Sequence, residues 1–349
     1  MYRRAQTLLL ACAVGIGLAT VIVSQMIGKP MHDPEGFLGP TWLRLPLLVA
    51  VGILVDLVPY AAWRARGSLS VMRPLIAERW RTHWTRERFT LVALGIACFY
   101  LVYVCYRNLK SFLPFVVPEG HDYDHELHLI DHAILFGHDP GILLNDIFGH
   151  GVMAWLFSGV YLWFLPLVPF TVVVWLVWPR NLMHGYWYVS AQVIAWTLGT
   201  VSYYCLPTVG PGLAFPYLYA DQPNTPAREL MQSLVFTRQH VLFDVNTNVV
   251  QSVAGFASLH CAITLLVALM VQATWQNNWL RAFFWVNFGL TVLSTLYFGW
   301  HYISDDVAGV TIALVSYYVG GVVAGHRFQR KARGAQAEVL AESSESVPA

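Results

Sequence analysis

Charge is what this sequence has least of. Asp, Glu, Lys and Arg together make up 12% of its 349 residues, against 56% hydrophobic, and mean hydropathy is +0.51. A soluble domain carries about twice that share of charge, so an ordinary soluble globular protein is excluded. Cysteine is also scarce. The five (Cys12, Cys98, Cys105, Cys205 and Cys261) all fall in or at the ends of apolar runs. No loop holds a pair suited to a disulfide or a zinc knuckle, so they read as small buried hydrophobes. Net charge is nearly absent too, at +1. That balance says nothing about partners, because the charge is sorted by loop. No nucleic-acid partner is expected.

What the sequence has instead is long apolar runs, several reaching the roughly 20 residues needed to cross ~30 Å of hydrocarbon as a helix. Eight spans are read, at about 7–27, 42–62, 89–112, 152–178, 185–206, 251–273, 280–300 and 304–324. Lipid leaves no partner for an unpaired backbone amide, so the spans must be helical. The expected fold is all-α, a polytopic transmembrane helical bundle. The first run follows Arg3 and Arg4 and lacks a small-x-small cleavage site, so it reads as an anchor helix rather than a signal peptide. The polar stretch after Arg333 is expected to be disordered.

Eight spans put both termini on one side. That side then holds Arg3, Arg4, the seven arginines of segment 63–88, Arg180, Arg281 and the cluster Arg327, Arg330, Lys331 and Arg333. The other side, span ends included, holds Lys29, Arg44, Arg107, Lys110, Arg228 and Arg238. The positive-inside rule therefore places the termini in the cytoplasm of a cell-membrane protein. His260, His301, Asp305 and the segments 113–151 and 207–250 all land together on the extracytoplasmic side.

Two short stretches at apolar-to-polar junctions carry the chemistry, Phe256-Ala257-Ser258-Leu259-His260 and Gly299-Trp300-His301-Tyr302-Ile303-Ser304-Asp305-Asp306. Imidazole titrates near neutral pH and serves as nucleophile, base or acid. Asp305 lies four residues after His301, so a helix continuing through the junction would put both on one face. The carboxylate would then fix the ring's tautomer and orientation. Trp300 and Tyr302 read as interfacial anchors, Asp306 as a solvated neighbour, and Gly309 as a point of close helix packing.

Segment 113–151 is too polar to span. Its histidines at 121, 125, 128 and 132 step by four, three and four, along one helix face, with Asp124, Asp131 and Asp139 nearby. Two readings stay open. One is a metal site of imidazole and carboxylate; the other is an amphipathic helix in the interface, with Leu127, Ile130, Ile134 and Leu135 dipping into lipid. Segment 207–250 reads as a long loop, functional or mobile. It opens with Pro207-Thr208-Val209-Gly210-Pro211-Gly212, where exposed glycine amides would meet an anion or simply make a tight turn.

Ser-Leu-His at 258–260, with His301, Tyr302, Asp305 and Gly309 in His-Tyr-x-x-Asp-x-x-x-Gly, resembles the type-2 phosphatidic acid phosphatase superfamily. Asp131, Leu135, Phe136, Gly137 and Pro140 resemble the Asp-x-x-x-Leu-Phe-Gly-x-x-Pro element of its inositol phosphorylceramide synthase-like branch. The resemblance covers roughly 90–325. It implies a six-helix phosphatase-like core at 89–326, preceded by two helices and a basic cytoplasmic loop at 1–88 and followed by a tail at 327–349. It further implies an enzyme that passes a phosphoryl group through a phosphohistidine on His301, with His260 as acid and Asp305 as the orienting carboxylate. The substrate would be a lipid within the bilayer, with no metal and no cofactor. Lipid phosphate hydrolysis is the alternative to head-group transfer, and a non-enzymatic lipid-binding protein the reading from another class. The substrate-binding residues expected are Asp131, Ser258, Tyr302, Lys110, Arg228, Arg238, Gly210 and Gly212.

The phosphatases usually carry an arginine six residues before the second histidine, where this chain has Thr295, and their Lys-to-Arg-Pro motif has no counterpart on the active side. The phosphate clamp must therefore come from elsewhere. Neither the lipid nor the oligomeric state is legible in the sequence.

Overall fold

The computed structural model describes residues 2–34, 40–117, 121–243, 250–251 and 253–328. Among them are thirteen α-helices and no strand. Eight of them overlap the apolar runs: α1 (Arg3–Ile27), α2 (Thr41–Ala65), α4 (Arg86–Val116), α7 (Val152–Val177), α8 (Leu182–Cys205), α11 (Leu259–Thr274), α12 (Asn278–Tyr297) and α13 (Ile303–Ala324). Five of these are long and apolar enough to cross a membrane, namely α1, α2 from Pro46, α4, α7 and α13. α11 is a shorter apolar helix. The chain is a helical membrane bundle. The tail expected to be disordered lies, from residue 329 on, outside the described residues.

These eight helices overlap the eight apolar runs, although α11 starts only at Leu259, well inside the run read at 251–273, and four of them start at polar caps. Thr85, Asn181, Ser258 and Asn277 each accept a hydrogen bond from a first-turn amide of the helix that follows. α8 runs through the middle of the bundle, packed against α4, α7, α11 and α13, and is buried along most of its length. Several of its polar groups pair within the bundle. Trp196 Nε1 donates to Gln192 (3.1 Å), Gln192 Nε2 to the Tyr188 hydroxyl (2.6 Å), and that hydroxyl to Thr171 on α7 (2.7 Å). α1 lies on α4 and α8 through a stripe of Ala5, Leu9, Ala13 and Ile16. Leucines, valines and aromatics on the outer faces of α1, α2, α7 and α13 stay exposed, as lipid contact demands.

Two segments differ from the sequence expectation. The basic segment 63–88 is largely helical, α3 (Leu69–His83), and is bolted to α2: Asp56 accepts both Arg79 nitrogens (2.7 and 3.1 Å) and Trp84 Nε1 (3.0 Å). Arg88 donates to the carbonyls of Leu176 and Val177, which end α7. Segment 207–250 is not a long loop. It folds as the single turn α9 (Pro211–Ala214), a 3₁₀ turn at Pro216–Tyr219 and the eighteen-residue α10 (Pro226–Phe243). Its apolar residues Ala227, Met231 and Val241 are buried, a sparse pattern that hides a helix among turn-forming residues. Segment 113–151 supplies the end of α4, then α5 (Asp124–Ile134) and α6 (Pro140–Phe148). On α5, Ile130 and Ile134 are exposed while Leu127 is buried, so the interfacial face is narrower than the sequence suggested.

The orientation inferred from the arginine count is checked by labelling. In a background with the exposed Cys205 replaced by serine, a cysteine at the exposed position 224 should react with an impermeant thiol reagent in intact cells. A cysteine at the exposed position 82 should react only after permeabilisation. The opposite pattern inverts the topology.

Candidate active site

α11 begins, α12 ends and α13 begins at one end of the bundle, and the turn 298–302 between the last two carries the second motif. Gly299 in this turn has φ +70, and a Cβ there would sit 2.5 Å from the Tyr219 ring, so only glycine fits. His301 and Asp305 do not share a continuous helix. Tyr302 is the N-cap of α13 and Asp305 its third residue. Asp305 Oδ2 accepts the Tyr302 amide (3.0 Å) and lies 3.2 Å from His301 Nδ1. The four-residue spacing therefore brings imidazole and carboxylate together through a capped helix start.

His260, in the first turn of α11, lies with its ring centre 6.1 Å from that of His301. It packs against Phe164 (4.1 Å) and stacks on Tyr161 (4.3 Å, 17°), which in turn stacks on Trp300 (4.7 Å, 10°). The two histidines converge because α13 crosses the start of α11 closely: a Cβ on Gly309 would lie 2.3 Å from the Ser258 carbonyl oxygen. Burial, helped by the Lys110 charge, pushes His301 down to about 4, against Asp306 and a backbone hydrogen bond to Gly255. At neutral pH the ring is therefore uncharged.

Lys110 is the basic residue the bundle brings to this pair. It is buried near the end of α4, its ammonium 4.9 Å from the Tyr203 ring centre and 5.6 Å from that of Tyr106, and its charge acts on both imidazoles. Arg107, one turn earlier, has a buried Nε with no hydrogen-bond partner among the described residues. Arg228 does not reach the site. It donates to the carbonyls of Ala220 (3.0 Å) and Gln222 in its own segment. Arg238 is half-buried beside the charges of Asp122 and Asp124, at the edge of the site.

Several residues expected to hold substrate are already engaged in holding the protein. The Gly210 amide donates to Asp124 Oδ1 (2.9 Å) and the Gly212 amide to the Gly299 carbonyl (2.7 Å). Neither is left for an anion; the glycines permit close approach instead, since a Cβ on Gly210 would meet the Trp300 oxygen at 2.5 Å. Ser258 is fully buried and caps α11. Tyr302 is no interfacial anchor: it is buried, and its hydroxyl donates to Asp124 (2.9 Å). Asp131, 1% exposed, accepts the Ile303 amide on both oxygens at 3.2 Å. It caps α13 rather than facing a ligand. The rest of its motif forms the α5–α6 turn, with positive φ at Phe136 and Gly137 and Pro140 opening α6.

Sequence reasoning missed three features. Asp124 accepts the amides of Val209 and Gly210 and the Tyr302 hydroxyl, joining α5, the 207–212 turn and the His301 turn. Asp306 is buried rather than solvated, and takes hydrogen bonds from Thr295 (3.0 Å) and Cys261 (2.8 Å). Thus the position where the phosphatases carry arginine supplies a hydroxyl to a carboxylate. Tyr161 carried no signal beyond being aromatic in an apolar run.

Paired histidines and buried carboxylates at one end of a helical membrane bundle make up the candidate site. The family model described as the PAP2 superfamily matches residues 125–319, more than half of the chain, and the protein belongs to that superfamily. Membership points to phosphatase or phosphotransferase activity on phosphate-containing substrates. No curated protein and no solved structure matches the chain.

Burial pushes the Asp131 carboxyl up to about 7 from its ordinary 3.8, with Asp305 and Asp139 adding to the shift and the Ile303 amide opposing it. For an acid raised in this way the folded state keeps a proton that the unfolded chain has lost. Stability therefore falls as pH rises from about 4 to about 7. Asp131→Asn keeps an oxygen for the Ile303 amide and removes the titrating proton. The variant's melting temperature should gain on the wild type's by several degrees between pH 5 and 8; parallel curves would refute the shift.

Proposed function

We propose that this protein transfers a phosphoryl-containing head group between lipids through a covalent intermediate on His301. The observation that carries this reading is the pairing of two imidazoles 6.1 Å apart, one of them held at Nδ1 by a buried carboxylate. That separation lets a single phosphoryl group touch both rings. With Nδ1 directed at Asp305, the His301 Nε2 lone pair is left to attack phosphorus, and low basicity keeps it unprotonated at neutral pH. Phosphorus then bonds to Nε2 while its bond to the leaving oxygen breaks. His260, which takes up a proton from solvent as the anionic substrate enters beside it, gives that proton to the leaving oxygen and takes one back from the second alcohol as it attacks the phosphohistidine. Lys110 offsets the charge on the phosphoryl oxygens, a role the superfamily usually shares with arginine and which Arg107 is placed to assist.

The lipid nature of the substrate rests on where the pair lies, at the end of an apolar bundle whose α5 and α7 expose Ile130, Ile134, Trp155 and Leu156. Transfer is favoured over hydrolysis by the Asp131-to-Pro140 element, which resembles the inositol phosphorylceramide synthase-like branch. Asp131, Ser258, Tyr302, Gly210 and Gly212 act in this reading as positioning residues. Domain limits follow the same reading, with α1 to α3 flanking the catalytic core. The positive-inside count puts the reaction at the extracytoplasmic face.

His301→Ala should lower turnover by on the order of 10³-fold or more, and His260→Ala by roughly 10²–10⁴-fold. Because His301 is neutral down to about pH 4, kcat/KM should show no loss from this group between pH 6 and 8. The class of reaction is read with head-group-labelled phospholipid and an acceptor lipid. Labelled lipid product is expected; released free phosphate alone would make the protein a lipid phosphatase. Unchanged turnover in His301→Ala would remove this site from the chemistry altogether.

A further inference from the structure

The histidines of segment 113–151 divide in the fold. His121 and His125 are exposed, while His128 and His132, four apart on α5, turn toward Asp139 at the start of α6. His128 Nδ1 lies 3.2 Å and His132 Nε2 3.1 Å from the same oxygen, Asp139 Oδ1, and the ligand atoms of all three residues fall within 4.8 Å of one another. Donor atoms bound tetrahedrally at zinc's 2.0–2.1 Å stand about 3.3 Å apart, close to the two distances found.

Hydrogen bonding alone accounts poorly for this cluster. His132 Nε2 is shielded from solvent yet has no hydrogen-bond partner, despite facing a carboxylate. Asp139 is the N-cap of α6 but makes no side-chain cap bond, giving up an interaction typically worth ~1 kcal/mol. It points instead at the two imidazoles. The His128 ring is backed by Phe215 at 4.4 Å, which fixes its orientation. Imidazoles at i and i+4 on a helix, joined by one carboxylate, form a set suited to zinc-like divalent transition metals, with a further position left to water.

We infer that His128, His132 and Asp139 bind one zinc-class divalent ion, which clips α5 to α6. Binding needs neutral imidazoles and an ionised carboxylate, so protons carried by these groups leave to solvent as the ion enters. The site takes no part in the transfer reaction. The adjacent stripe of α5 carries Asp124 and Asp131, which hold Tyr302 and Ile303, so the ion would stiffen the support of the His301 turn.

The test uses tag-free, full-length protein in detergent, stripped with chelator and titrated with Co²⁺, then Zn²⁺. One equivalent of cobalt should bind with a visible ligand-field band of a tetrahedral complex, zinc should displace it, and zinc should raise the melting temperature by a few degrees. Asp139→Asn, which preserves shape, and His132→Ala should each weaken binding by more than about 100-fold, since even partners outside the ligand set cost 10–100-fold. His125→Ala should bind as the wild type does. The inference is overturned if stripped wild-type protein binds less than one equivalent, or if Asp139→Asn binds as tightly as wild type. The titration reads metal directly, so it fails or succeeds independently of the histidine chemistry.

Discussion

A single oxygen, Asp305 Oδ2, accepts the amide that starts α13 and faces the ring of His301. Much of what surrounds it serves to hold that oxygen in place. Asp131 takes the next amide, Ile303, and Asp124 takes the Tyr302 hydroxyl together with two amides from the 207–212 turn. Asp306 is filled by Thr295 and Cys261. Four buried carboxylates in a protein with so little charge are costly to desolvate. Each is kept by donors whose positions it fixes in return. The His301 turn is therefore set by a closed group of acceptors, with few degrees of freedom of its own.

The remainder of the bundle supplies what this arrangement requires. Helices in lipid gain little by hiding apolar surface from one another, so close approach at small residues and internal polar pairs decide the packing. Gly309 against the Ser258 carbonyl brings α13 onto α11, and the Trp196–Gln192–Tyr188–Thr171 chain ties α8 to α7. At the opposite end, Arg88 and Asp56 close the helix termini. The aromatic stack of Trp300, Tyr161 and His260 links the His301 turn to α7, so both imidazoles are referenced to the same rigid elements.

The bundle was legible because bilayer thickness fixes the length of an apolar run; a helix lies at each of the eight runs, and five of these are long and apolar enough to cross a membrane. The His301–Asp305 pair was legible by spacing, though for a reason the spacing did not reveal, a cap rather than a helix face. The carboxylates that hold the His301 turn from behind were not legible. Asp124 and Asp131 sit in a run of histidines and acids that suggests ligation, and nothing local says that one will cap a helix 172 residues away. Gly210 and Gly212 signal close backbone approach, but sequence does not distinguish an amide offered to a ligand from one already bonded. Arg228 lies between the two halves of the site along the chain, but separation in sequence does not measure distance in a bundle, and its guanidinium is engaged in its own segment. α10 was hidden because only a few of its residues face the core.

The claim on which these relations bear is that one phosphorus atom is shared between His301 and His260. A structure of the protein with vanadate, which mimics a phosphoryl group in transfer, tests it most directly. Vanadium bonded to His301 Nε2, with Asp305 still on Nδ1 and an oxygen within hydrogen-bond reach of His260, is the result expected. Vanadate bound elsewhere, or coordinated by His260 with His301 untouched, would contradict the account.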